Sequence, residues 1–256
     1  MPPKAFSDAL RLIELAEGRG VTLRLLGGLA ILKHCPSANG GVLARSTAPD
    51  IDLVGLKREN TAIKRVLESQ GFEPNAQFNA IHGYQRLLFH APEGLPKVDI
   101  FLDRFLMCHA LDLRLRLKLA RVTLPLADLL FTKLQVVQMT EKDLKDIVAI
   151  FVDHDLARSE GSEVIDASYM AGLGADDWGV FTTLTDTLGK VSEFVPQVGL
   201  DPATEAMVQS RIRQLRDRME SEPKGIVWRL RAKVGRRVIW YELPEEPKAI
   251  PLGTDR

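Results

Sequence analysis

The hydrophobic period of this chain changes partway along it, and that change limits the folds open to it. Up to Leu102 the apolar residues fall in short runs, at residues 21–26, 51–56, 84–90 and 97–102. Short apolar runs bounded by Gly, Pro or polar clusters read as buried strands, whereas apolar residues recurring at three- and four-residue spacing read as helix. From Leu126 the helical spacing takes over: Leu129, Leu130, Lys133, Leu134 and Val137 mark one helix, and Leu144, Ile147, Val148 and Phe151 mark another. Strands followed by helices predict an α+β fold, a small mixed sheet flanked by helices with a helical C-terminal region.

Finer punctuation divides the chain further. Residues 7–16 carry an amphipathic helical stripe, and residues 59–70 carry a second. The strand at 21–26 runs straight into Gly27-Gly28 and then Leu29, Ala30, Ile31 and Leu32, which reads strand, glycine turn, helix. Residues 36–47 are rich in Ser, Asn, Gly and Ala and are expected to form a surface loop; Pro92-Glu93-Gly94 is expected to be a turn. A polar break at 158–161 precedes helical patterns at 164–173, 177–195 and 202–219. Three units are therefore expected, at residues 1–157, 158–222 and 223–256. The last mixes Lys224, Arg229, Arg231, Lys233, Arg236 and Arg237 with Trp228, Trp240 and Tyr241 and reads as a β-ribbon or an arm. Such an arm either contacts RNA phosphates and stacks on bases or docks on the protein through Trp228, Leu230 and Val234, and docking is the favoured reading.

Lys plus Arg and Asp plus Glu both number 34, so no global field draws the chain to nucleic acid or to an anionic membrane. Cys35 and Cys108 are too few for a disulfide framework in a chain of this size and are expected to be reduced thiols. With no apolar h-region near the start and no run of about 18 apolar residues, a cytoplasmic protein without a membrane span is expected.

The chemistry-bearing residues are acids set in apolar strands. Asp50-Ile51-Asp52 opens one strand, and alternation projects residues i and i+2 from the same face. Mg²⁺ takes oxygen ligands in octahedral geometry and uses one or two carboxylates, leaving positions for water and substrate phosphate. Taken alone, the pair is equally a turn with solvated acids. Asp99 within Val98-Asp99-Ile100-Phe101 adds a third acid on another apolar strand, where an unpaired charge is costly. Gly27-Gly28 allows backbone amides at a helix N-terminus to approach a polyphosphate, or is an ordinary tight turn.

In this order (strand, Gly27-Gly28, helix, loop, Arg45, Asp50-x-Asp52, then Asp99 on a later strand) the chain resembles the nucleotidyltransferase superfamily. That superfamily includes DNA polymerase beta, aminoglycoside nucleotidyltransferases and abortive-infection-type toxin nucleotidyltransferases. The resemblance spans residues 21–152 and departs from the commoner Gly-Ser by carrying Gly-Gly. It implies a nucleotidyltransferase core at residues 1–157, with Gly27 and Gly28 holding the phosphates of a nucleoside triphosphate (NTP). It also implies that Asp50, Asp52 and Asp99 bind two Mg²⁺ ions, and that a nucleotidyl group passes to an acceptor hydroxyl with release of pyrophosphate. Asp99 is also a candidate general base. The acceptor is a small molecule, a tRNA or a protein.

The same comparison singles out Lys133, followed by Lys142-Asp143 and Asp146. Lys133 either reaches the triphosphate or snorkels from the core, and Asp146 is a candidate to hold it in place. Arg45 either neutralises phosphate or is solvated. None of the five histidines has zinc-ligand spacing, and His82 is expected in a loop bordering the cleft. The rival expectation is a non-catalytic nucleotide- or RNA-binding regulatory protein that retains the fold.

Overall fold

A computed structural model describes residues 4–45, 50–92, 96–161 and 163–243. The strands are β1 (Leu23–Leu26), β2 (Ile51–Gly55), β3 (Glu73–Pro74), β4 (Arg86–His90), β5 (Val98–Leu102), β6 (Arg104–Leu106), β7 (Ala110–Asp112), β8 (Asp155–Ala157) and β9 (Val164–Asp166). The helices are α1 (Lys4–Glu17), α2 (Gly27–His34), α3 (Asn60–Glu68), α4 (Ala76–His82), α5 (Leu126–Leu134), α6 (Glu141–Asp153), α7 (Ala167–Asp176), α8 (Trp178–Phe194), α9 (Pro202–Ser221) and α10 (Ile226–Val234). The fold is α+β. Glu93 and Gly94 of the turn expected at Pro92-Glu93-Gly94, and residues 46–47 of the loop expected at 36–47, lie outside the described residues.

Five strands form one mixed sheet in the order β1-β2-β5-β4-β3. β2 and β5 run parallel, and the other neighbours run antiparallel. Every residue of β5 is buried, as expected of a central strand covered on both faces. The open edge of β1 is shielded by the segment before α5, where Leu25 N–H donates to Val122 O and Leu124 N–H donates to Leu25 O.

Several elements differ from the sequence expectation. Residues 36–39 and 41–43 form short 3₁₀ turns that bury Ala38 and Leu43. The pattern at 164–173 begins with strand β9, paired in parallel with β8, before α7 starts with Asp166 as its N-cap. His82 is the last residue of α4 instead of a loop residue, because Asn75 caps that helix by accepting from Phe78 N–H. The 223–241 segment is helical at α10, not a ribbon. Its Trp228 docks, donating from Nε1 to Gly174 O at 2.9 Å, and the Arg231 guanidinium lies 4.5 Å from the Trp178 ring centre. Leu230 and Val234, expected as anchors, face outward at 57% and 42% exposure.

One apolar cluster of buried residues runs from Ala5 to Met219. The C-terminal helices are also fastened by a buried polar group. Asp128 on α5 is fully buried, accepting from Tyr169 Oη at 2.9 Å and from Arg116 Nε at 2.8 Å, and the Arg116 guanidinium stacks on the Tyr169 ring. Burial raises the Asp128 pKa to about 6 against the opposing pull of Arg116. Tyr169→Phe keeps the ring but leaves one carboxylate oxygen without its donor. The substitution is expected to cost about 1–3 kcal/mol, most of it above about pH 6, where Asp128 is charged; urea unfolding at pH 5 and pH 8 measures it. An equal midpoint at pH 8 for variant and wild type would remove this account of the join.

Candidate functional site

The site lies where β1 ends and where β2 and β5 begin. β1 and β2 are antiparallel with Leu26 opposite Asp52, and β2 and β5 are parallel with Asp52 opposite Asp99. The register therefore places two carboxylate-bearing residues side by side at the same end of the sheet, with the chain turning into α2 directly beside them.

Gly27 makes that turn with φ of 64°, in the left-handed region that favours glycine. A Cβ at this position would stand 3.0 Å from Asp52 Cγ and would overlap Oδ2. The missing side chain is thus the space in which the Asp52 carboxylate sits. Gly28, the next residue, is buried in the first turn of α2. Leu26, the N-cap of α2, supplies no side-chain acceptor to the first amides of the helix, which are ordinarily satisfied by a cap or a ligand.

The electrostatics converge on Asp52. Burial raises its pKa to about 7, Asp99 and Asp50 push in the same direction, and Lys133 and Arg86 pull against them. Asp50 sits just ahead of β2 and is 47% exposed, with Lys97 Nζ 3.1 Å away and itself 54% exposed. That pair is solvent-screened and is worth about 0–1 kcal/mol, so it leaves Asp50 readily exchangeable to another cation.

Asp99 is buried and is held by Arg86 on β4: Nε is 2.8 Å from Oδ1 and Nη2 is 2.5 Å from Oδ2. This two-point pair was not foreseen from the sequence. A cation two residues ahead of Leu88 in an apolar strand was the available signal, but only the β4–β5 register, with Leu88 opposite Asp99, brings Arg86 into diagonal reach.

A second charged group backs the first. Lys133 Nζ lies 2.7 Å from Asp146 Oδ2 and 3.1 Å from Asp143 Oδ1, and Arg45 Nη1 also binds Asp146. Burial works to lower the Lys133 pKa, but Asp146 and Asp143 outweigh it and the net movement is upward, so the amine stays charged. Asp143 also closes a capping box with Thr140, which fixes the start of α6. Arg45 is neither solvated nor free to meet a phosphate: its side chain is 5% exposed and engaged with Asp146. Lys133 is the cation of this group that acts on Asp52.

The histidines fall elsewhere. His154 is buried, with Nδ1 and Nε2 each 3.1 Å from a carbonyl oxygen, those of Glu163 and His34, and His34 Nε2 lies 2.6 Å from Thr123 Oγ1. Burial lowers the His34 pKa to about 4, so that ring is neutral at ordinary pH. The grouping ties α2 to α6 and to the turn before β9. Cys35 and Cys108 are free and buried.

Asp50, Asp52 and Asp99 supply oxygen donors only, the chemistry of a hard divalent cation such as Mg²⁺ more than of zinc or copper, but the three carboxylates do not all come within 4.8 Å of one another; among the described residues the three metal-competent side chains that do are His34, His154 and Glu163. Fold and site together define an α+β protein with acidic residues at one end of its sheet beside a glycine-opened helix N-terminus. No protein-family model matches the chain, and neither does any curated protein. Among the described residues, no helix is long and apolar enough to cross a membrane.

Proposed function

We propose that this chain is a Mg²⁺-dependent nucleotidyltransferase, built on a nucleotidyltransferase core, that moves a nucleotidyl group from an NTP to an acceptor hydroxyl. The observation that carries this reading is the juxtaposition of Asp52 and Asp99 in register on parallel strands, with Gly27 and the uncapped N-terminus of α2 against them. Carboxylates this close are costly unless a cation is held between or beside them. Glycine-opened helix N-termini favour phosphate oxygens.

Bound Mg²⁺ would neutralise phosphate charge and polarise the α-phosphate. The protein's part is positioning. Asp50 and Asp52 hold the cation, the α2 amides orient the phosphates, and Lys133 adds positive charge from behind. The acceptor oxygen bonds to the α-phosphorus as the bond from that phosphorus to the bridging oxygen breaks; pyrophosphate leaves and the hydroxyl proton passes to solvent. Such reactions need little covalent help from the protein, so orientation and charge neutralisation suffice.

Incubation with Mg²⁺, each labelled NTP and candidate small-molecule, tRNA and protein acceptors is expected to give a labelled acceptor and stoichiometric pyrophosphate. NTP binding without turnover on any acceptor would favour a regulatory binding protein. Absence of both NTP binding and Mg²⁺ dependence would refute the proposal.

A further inference from the structure

We infer that Arg86 takes the place of a second divalent cation beside Asp99, so that the acidic site holds one ion, on Asp50 and Asp52. The inference rests on the metal-site reading above and narrows it from two ions to one. Three observations carry it. The guanidinium places one donor on each oxygen of Asp99, the fork geometry in which arginine binds a carboxylate most firmly. It is also fixed from the other side, with its central carbon 4.8 Å from the Phe101 ring centre and 5.7 Å from that of Phe78, within the range of cation–π attraction. Finally, the element carrying Phe78 is itself anchored, because Asn79 donates to Leu88 O at 3.0 Å and accepts from Leu88 N–H at 2.8 Å.

Arg86 is therefore not a mobile surface side chain that swings aside at little cost; 23% of its side chain is exposed. Paired metal ions in two-metal sites lie roughly 3.5–4 Å apart and share a bridging carboxylate environment. An ion bridging Asp52 and Asp99 would displace the guanidinium from its contacts with Phe78 and Phe101 or stand beside a fixed positive charge, and like charges a few ångströms apart repel. Among the described residues Asp50 and Asp52 carry no such clamp, and Asp50 pairs with the exposed Lys97. In this arrangement Arg86 is a positioning residue: it holds Asp99 and supplies one positive charge that needs no metal.

The test is a titration with Mn²⁺ alone, following free Mn²⁺ by electron paramagnetic resonance and heat by calorimetry. The wild-type chain is expected to bind one Mn²⁺. Asp52→Asn is expected to lose it, and Asp99→Asn to keep it with affinity changed less than about tenfold. Arg86→Gln, which frees Asp99, is expected to admit a second ion, whereas Arg86→Lys retains a cation and stays at one. Because Arg86→Lys and Arg86→Gln lose the same fork, a purely structural role would move both alike; thermal melts check that each is folded. Two ions on the wild type, or equal loss of binding in Asp99→Asn and Asp52→Asn, would overturn the role given to Arg86 while leaving the metal site standing. No bound Mn²⁺ on a folded wild-type chain would overturn the metal site itself.

Discussion

Replacing Asp52 with Asn is expected to abolish nucleotidyl transfer, by on the order of a thousandfold or more, while making the metal-free protein more stable above neutral pH. The two effects share one cause. Burial, then Asp99 and Asp50, lift the Asp52 pKa from 3.8 to about 7 despite Lys133 and Arg86. The folded state thus keeps a proton that the unfolded chain releases, and the associated stability is fully present below about pH 4 and is lost as pH rises through about 7. Above that range the charged carboxylate destabilises the fold, by about 4 kcal/mol at most. Asn is nearly isosteric and carries no charge, so its advantage in melting temperature is expected at pH 8 and should vanish near pH 4. Asp128 titrates in the same direction at about 6, so some slope with pH remains in the variant. Adding Mg²⁺ should raise the melting temperature of the wild type and leave that of Asp52→Asn unmoved, because only the former gains binding energy. A variant that is less stable than wild type at pH 8, or that still releases pyrophosphate, would place the metal site elsewhere.

How much of this was legible beforehand depends on the range of each interaction. The turn from β1 into α2 is written locally: an apolar run, two glycines and a helical stripe follow each other without interruption. Asp99 stood out because a carboxylate in an otherwise aliphatic and aromatic strand needs a partner. The partner itself was hidden, since Arg86 reaches Asp99 diagonally and strand register does not follow from composition. The group of Lys133, Asp146 and Arg45 joins α5, α6 and the segment ahead of β2, and only tertiary packing brings Arg45 to α6. The β6–β7 hairpin and the β8–β9 pair have three-residue strands, too short for a period to register. At α10 the outward Ile226, Val227, Leu230 and Val234 lie along one side of a helix, but the interleaved arginines and Trp228 masked that spacing and suggested an arm.

Gly27→Ala is the second substitution with a large expected effect, and Gly20→Ala is its control. Both glycines sit at positive φ, 71° for Gly20 and 64° for Gly27, so any side chain meets similar backbone strain at either position. At Gly20 a new Cβ meets nothing within 4 Å, so Gly20→Ala isolates that strain, about 1 kcal/mol. At Gly27 the same methyl group overlaps the Asp52 carboxylate, and either the turn into α2 or the carboxylate must move. Moving the turn shifts the α2 amides, and moving the carboxylate shifts it relative to Asp99. Each costs alignment, and misplacement by about 1 Å at a reacting centre costs on the order of a hundredfold in rate. Gly27→Ala is therefore expected to lose about 1–3 kcal/mol more stability than Gly20→Ala and at least a hundredfold in transfer, with weakened Mn²⁺ binding as the readout independent of turnover. Equal stability losses in the two variants, with Mn²⁺ affinity intact in both, would mean that Gly27 serves only the backbone turn and that the closeness of Asp52 to it has no bearing on the site.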